Sequence, residues 1–212
     1  MFQKIFWVLV GVLVLIFIII SVVRPTPVID VKADLPPAVM MAYPSEYNFR
    51  QTPNACGPYN TAAVVRTLSG QDVSSEEFAR AIDWKIPRFG THPFGLEKQL
   101  EKHGIHVESY SLRSLAKEER IIFLKQQLAE KRPVILLVER HGYEHYVTLF
   151  GYDHDVFFIY DSAHDRGSEG MTKDDNGVLP GNITLSSDTL LAEWAKGGVL
   201  GFYTWYALVG SL

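Results

Sequence analysis

Cysteine is nearly missing from this 212-residue chain, where Cys56 stands alone. A single thiol excludes an internal disulfide framework and any zinc site built only from cysteines of one chain. Positive charge is not in excess either, with 24 acidic against 20 basic side chains and a net charge of −4. Nucleic acid as the main partner is therefore excluded, because phosphates need a basic face. Internal repeats and low-complexity tracts are also lacking, so a solenoid is out. Disorder is excluded in turn: 47% of the residues are apolar and 12% aromatic, enough for one ordinary core plus an appendage but not for two large domains.

The appendage is at the front. After a short tail, residues 1–4, Ile5–Val23 runs for 19 residues without a charge. As a helix at ~1.5 Å per residue it spans about 28 Å, close to the hydrocarbon thickness of a bilayer. It is long for a cleavable signal peptide, and no Ala-x-Ala pattern follows it, so the expectation is one uncleaved transmembrane helix. Lys4 and the terminal amine favour retention of the short tail inside the cell, with the rest of the chain outside the cytoplasm. Residues 24–44 carry Pro25, Pro27, Pro36, Pro37 and Pro44 and read as an extended linker, with a strand possible over the apolar Ala38–Tyr43. Residues 45–212 form the expected folded domain.

Within it, periodicity and caps predict helices over Pro58–Leu68, Ser74–Asp83, Gly95–His103, Leu115–Lys131 and Ser187–Lys196. Strands are expected over Val107–Leu112, Pro133–Val138, Tyr146–Gly151, Val156–Tyr160 and the apolar Val199–Val209. Asp153-His154-Asp155 is a turn, and the polar Ser162–Gly181 is a surface loop. Helices first and strands afterwards indicate an α+β domain with a mainly antiparallel sheet.

Three residues carry the chemistry. Cys56 opens a helix in Asn54-Ala55-Cys56-Gly57-Pro58, where unpaired amides and the helix dipole favour thiolate. Gly57 is expected to leave room for a substrate carbonyl. His145 and Asp161 lie on consecutive strands, and a hairpin centred near residue 153 sets them opposite each other on one sheet face. A carboxylate beside the imidazole fixes its tautomer and stabilises its protonated form, as nucleophilic catalysis requires. A second pattern overlaps the first: His141-Gly142-Tyr143-Glu144-His145 matches H-x-x-E-H, a zinc-peptidase motif. That motif requires a helix, whereas Gly142 and the flanking strand-like runs argue for a turn. His141 therefore reads as a turn residue and Glu144 as a strand edge. No metal and no cofactor is expected. His154 and His164 read as turn residues, and Asp165, Glu169, Asp174 and Asp175 as a solvated face without the spacing of a calcium loop.

Together these segments resemble the peptidase C39-like family, a branch of the papain-like cysteine peptidases. Gln51-Thr52-Pro53-Asn54-Ala55-Cys56-Gly57-Pro58 resembles its nucleophile motif, His145-Tyr146-Val147 its histidine motif, and Tyr160-Asp161-Ser162 its downstream acid. The resemblance implies a papain-like domain of N-terminal helices packed on an antiparallel sheet. By the same resemblance Cys56 is the nucleophile, His145 its partner, Asp161 the orienting acid, and Gln51 an oxyanion donor. Ser162 stands where a proline often follows the acid, which is expected to affect the turn more than the chemistry. The implied function is a membrane-anchored bacterial cysteine peptidase acting on peptides or proteins near the membrane surface. Acyl transfer on the same three residues, or a tethered binding module without turnover, stays open.

Overall fold

The computed structural model describes residues 3, 5–13, 24–32, 34–86, 90–164, 179–198 and 203–212. Among the described residues from 34 onwards there are five α-helices: α1 (Cys56–Ser69), α2 (Ser75–Ala81), α3 (Pro93–Lys102), α4 (Lys117–Ala129) and α5 (Ser187–Trp194). Their ends follow from the sequence. Gly70 closes α1 in the left-handed conformation at φ 67°, the backbone state that glycine reaches without steric cost. Ser74 and Ser186 cap α2 and α5 by accepting the amides of Glu77 and Thr189. Pro93 occupies the first turn of α3, where no amide is needed. At α4 the Glu119 carboxylate accepts the Ala116 amide at 2.7 Å.

The strands are β1 (Ala38–Met40), β2 (Lys85–Ile86), β3 (Gly90–Thr91), β4 (His106–Ser111), β5 (Val134–Arg140), β6 (Tyr143–Asp153), β7 (Val156–Tyr160), β8 (Ile183–Ser186) and β9 (Tyr206–Ser211). Seven of them build one antiparallel sheet in the order β4-β9-β5-β6-β7-β8, with β1 pairing the far end of β6. The last strand thus inserts between β4 and β5, one place in from the sheet edge. Its residues alternate between two cores, Ala207 and Val209 on one side and Tyr206 and Leu208 on the other. A strand covered on both faces reads as a continuous apolar run, which is what Tyr206–Val209 is. Residues 199–202 of the expected closing strand lie outside the described residues.

One core contains Phe123, Leu124 and Leu128 of α4 with Leu190, Leu191 and Trp194 of α5. The other contains Val64 and Val65 of α1, Phe78 of α2 and Leu96 and Leu100 of α3. The expectation of an α+β domain with an antiparallel sheet is met, with helices covering both faces. Helix α1 is buried from Cys56 through Arg66, as befits a helix enclosed by other elements.

The proline-rich stretch is laid on the domain, and β1 falls within the strand expected over Ala38–Tyr43. Pro25 and Pro37 carbonyls accept the amides of Ser111 and His154, Asp30 accepts Gln126, and Pro36 accepts the Tyr152 hydroxyl. Strand β1 crosses Gly151 so closely that a Cβ there would lie 2.3 Å from the Val39 carbonyl oxygen, which leaves only glycine. Residues 5–13 are helical. Among the described residues no helix is long and apolar enough to cross a membrane; residues 14–23, the rest of the apolar run, lie outside them.

Candidate active site

Two devices bring the sequence-predicted residues together. The first is a hairpin between β5 and β6, closed by His141 and Gly142 with positive φ at both, 58° and 83°. That geometry is the two-residue turn whose twist matches paired strands, and it rules out the helix that an H-x-x-E-H zinc site needs. The second is a bulge in β6. Near its turn β6 pairs Asp153 with Val156 and Gly151 with Phe158. Continued unbroken, that register would set Asp161 opposite Thr148, on the face away from His145. The extra residue, Phe150, shifts the pairing so that Thr148 meets Tyr160, and the next position, Asp161, falls opposite Val147. Asp161 is therefore diagonal to His145, not directly across as the hairpin reading had it, but on the same face.

The contact is direct. His145 Nε2 lies 2.8 Å from Asp161 Oδ1, and both side chains are fully buried. Asp161 accepts three further hydrogen bonds: the Ala163 amide on Oδ1 at 2.9 Å, and Arg140 Nε and His141 Nε2 on Oδ2 at 2.7 and 2.9 Å. Arg140 in turn gives Nη1 to both oxygens of Glu193. Glu193 offsets the guanidinium charge, so Asp161 keeps its negative potential for the imidazole. Asn182 clamps the Asp161 backbone, accepting its amide and donating to its carbonyl, each at 2.8 Å. Burial would raise the Asp161 carboxyl, yet the hydrogen bonds and charges of His141 and His145 hold it well below the carboxylate range.

With Nε2 engaged by Asp161, Nδ1 is the ring nitrogen left for the sulfur. Nδ1 makes no full hydrogen bond in this conformation, but thiol and ring shift each other's protonation. Burial pushes the Cys56 thiol up. The nearby His145 ring, its charge, and the backbone amides of Tyr146 and Gly57 outweigh it, and the thiol sits below its ordinary value. Burial likewise opposes charge on His145, and the bond to Asp161 together with the nearby sulfur of Cys56 overcomes it, raising the ring from 6.5 to about 9. A sulfur, a ring and a carboxylate acting on one another, with these opposed shifts, are suited to hold a thiolate–imidazolium pair.

Asn60, one turn along α1 from the sulfur, fixes the helix against β6. Its amide donates to the carbonyls of Cys56 and Tyr146 at 2.8 Å each, and its oxygen accepts the Thr148 hydroxyl at 2.6 Å. All three groups are buried. Replacing Asn60 with Ala leaves them unpaired and is expected to lower stability by about 2–4 kcal/mol, measured by urea unfolding. A cost under ~0.5 kcal/mol would mean that the helix–strand register is set elsewhere.

Cys56, 7% exposed, lines a pocket of about 240 Å³ with Gln51, Pro53, Asn54, Gly90, Tyr143 and Glu144. Gln51 is tied to the acid's neighbour: its amide donates to the Ser162 carbonyl at 2.8 Å, and its side-chain oxygen accepts the Ser162 hydroxyl at 2.7 Å. Ser162 thus does more than shape a turn, for it aims the Gln51 carboxamide. Gly57 plays a different part from the one expected. A Cβ there would meet Leu96 Cδ1 at 2.9 Å and Thr91 Cβ at 3.2 Å, so glycine lets α1 pack on α3 and β3. Glu144, read from sequence as a strand edge, faces the pocket, and its carboxylate accepts the Gly198 amide at 2.6 Å. Asp165, Glu169, Asp174 and Asp175 lie outside the described residues.

The model of the "Peptidase_C39 like family" matches residues 42–181. No curated protein matches the chain. Among solved structures, one described as a C39-like peptidase from Bacillus anthracis is similar at 13% identity and a TM-score of 0.51. It covers 82% of this chain and 98% of its own. A double glycine motif protease from an AMS/PCAT transporter, solved with its leader peptide, is 17% identical with a TM-score of 0.49, covering 90% of this chain and 99% of its own. The peptidase domain of Streptococcus ComA is 15% identical with a TM-score of 0.48, over 78% and 99% of the two chains. With the family model spanning most of the folded region and the sheet carrying its histidine and acid motifs side by side, this chain belongs to the peptidase C39-like family.

Proposed function

We propose that this chain is a membrane-anchored cysteine peptidase that hydrolyses peptide bonds through an acyl-enzyme. The observation that carries the reading is the buried line from Cys56 through His145 to Asp161. The thiolate adds to the scissile carbonyl carbon. The oxyanion that forms is met by the Cys56 backbone amide, free at the start of α1, and by the Gln51 carboxamide nitrogen, whose oxygen is held by Ser162. His145 passes its proton to the leaving amine, then takes one from the water that attacks the acyl-enzyme. No cofactor enters the scheme. Anchoring is supported by the uncharged run Ile5–Val23, and by residues 5–13, which are helical with Phe6, Trp7, Val8 and Leu13 each more than half exposed. The catalytic domain then lies outside the cytoplasm on a bacterial inner membrane, with substrates near its surface.

The test compares membranes holding the wild-type chain with membranes holding the Cys56→Ala variant, using mass spectrometry of protein termini. New termini that depend on Cys56 support the reading. If a thiol probe labels Cys56 while no peptide bond changes, hydrolysis is wrong.

Activity should also be bell-shaped in pH. It rises as the depressed thiol ionises and falls as His145 loses its proton near about 9. Asp161 raises His145, so Asp161→Ala should move the alkaline limb to lower pH and, by weakening the imidazolium, the acid limb to higher pH. A kcat/KM profile with both limbs unmoved would show that Asp161 does not tune the pair.

A further inference from the structure

We propose that the face formed by Trp84, Ile86, Phe94 and Lys98 is seated on the phospholipid bilayer that holds residues 5–23. The inference rests on the membrane-anchored reading above and adds a fixed orientation to it. The uncharged run ends at Val23, and the next residue, Arg24, is clamped: its guanidinium meets Glu97 of α3 at 2.9 Å, with both side chains largely buried. The following carbonyl, that of Pro25, accepts the Ser111 amide. No slack therefore separates the run from the domain, and the bilayer surface must lie within a few residues of Arg24.

What faces that surface is on the same helix and on the segment at β2 before it. Phe94 is one turn from Glu97 and 38% exposed; Trp84, 40% exposed, packs edge-on against it at 5.4 Å; and Ile86, two residues on, is 45% exposed. The Lys98 ammonium lies over both rings, 4.9 Å from Phe94 and 5.8 Å from Trp84. Aromatic contact runs back unbroken towards Arg24. Trp84 neighbours His92 at 6.2 Å, His92 is bonded to the Tyr203 hydroxyl at 2.8 Å, and the Arg24 charge acts on both His92 and Tyr203. Large rings exposed together with a lysine match the interfacial belt of membrane proteins, where rings sit at headgroup level and the ammonium reaches the phosphates. Gly90, the strand partner of Ile86, lines the pocket of Cys56. Seating this face therefore opens that pocket beside the headgroups, where a membrane-bound substrate would present its chain.

The experiment uses the full chain in the Cys56→Ala background, with single cysteines introduced as Leu15→Cys, Lys85→Cys or Glu118→Cys and labelled with nitrobenzoxadiazole. Each is reconstituted into phosphatidylcholine–phosphatidylglycerol liposomes with or without nitroxide-labelled lipid. Labels at 15 and 85 are expected to lose fluorescence about twofold or more to the lipid nitroxide, and the label at 118, on α4, to stay unquenched. Quenching at 15 with residue 85 behaving like 118 overturns the seating and leaves the anchor standing. No quenching at 15 overturns the anchor itself, and the seating with it. Shielding at 85 that follows added peptide or rising protein concentration in detergent, and not lipid, gives the face to a substrate or a second copy and also overturns the proposal.

Discussion

Replacing Cys56 with Ala is expected to lower kcat/KM by at least ~10⁴-fold, with stability changed by about 1 kcal/mol. The loss is large because no other described group lining the pocket is a ready nucleophile. Tyr143 is the nearest alternative, and burial, with the charges of Asp161 and Cys56, pushes its phenol up, away from ionisation. The fold loses little, since Ala fills most of the space of a small side chain at a helix start. Cys56→Ser should be nearly as inactive. The thiolate and His145 each favour the other's charge, whereas a serine hydroxyl is far too weak an acid to form such a pair. A second readout follows from the same coupling. Without the thiolate His145 loses one of the influences that raise it to about 9, so its NMR titration in Cys56→Ala should move to lower pH. Unchanged turnover in Cys56→Ala would end the nucleophile assignment, and an unmoved titration would show that sulfur and ring are not coupled.

How much of this was legible in the sequence depends on the range of each interaction. The start of α1 was readable because Cys-Gly-Pro and the small residues after it are a local signal, and β5, β6 and β7 announced themselves by β-branched and aromatic content. The His145–Asp161 pairing was foreseen from a regular hairpin. The register itself came out two residues off: the turn sits between Asp153 and Val156, not centred at residue 153, which alone displaces the pairing by three, and the Phe150 bulge takes one back and so restores the parity. Residues that act through long-range polar contacts were missed. Arg140, Glu193 and Asn182 belong to segments far apart in the chain, and nothing in local composition ties them to Asp161; Asn60 lies on the Cys56 helix itself, but its partners Tyr146 and Thr148 are more than eighty residues away. Ser162 could have been suspected, since it follows the acid where the resemblance placed a proline, but its bond to Gln51 spans more than a hundred residues. Strand β8 has only four residues, too few to establish a period. In the linker, the apolar Ala38–Tyr43 pointed to the strand that forms as β1, whereas the docking of residues 25–37 was not foreseen, because proline content describes backbone stiffness and does not reveal a docking surface.

Asp161→Asn should cost about 10³- to 10⁴-fold in kcat/KM near neutral pH, and the reason lies in the four hydrogen bonds that this carboxylate accepts. An asparagine offers one oxygen and one NH₂ group, so two donors must now face a donor. Arg140 carries a full charge and is held by Glu193, so the asparagine oxygen is expected on the Arg140 and His141 side. The NH₂ then points at His145 Nε2 and the Ala163 amide. To accept from it, His145 must shed its Nε2 proton, which leaves any remaining proton on Nδ1, the nitrogen facing the sulfur. The ring can then neither take the thiol proton nor hold a second proton without a clash, and Cys56 returns towards an ordinary thiol. Iodoacetamide alkylation of Cys56 followed against pH reads this directly. The wild-type sulfur should react at lower pH than that of Asp161→Asn, and the variant's ionisation should shift upward. Loss of activity with an unshifted alkylation profile would mean that Asp161 acts only by holding structure. Activity within about threefold of wild type would mean that the ring's orientation does not depend on this acid at all.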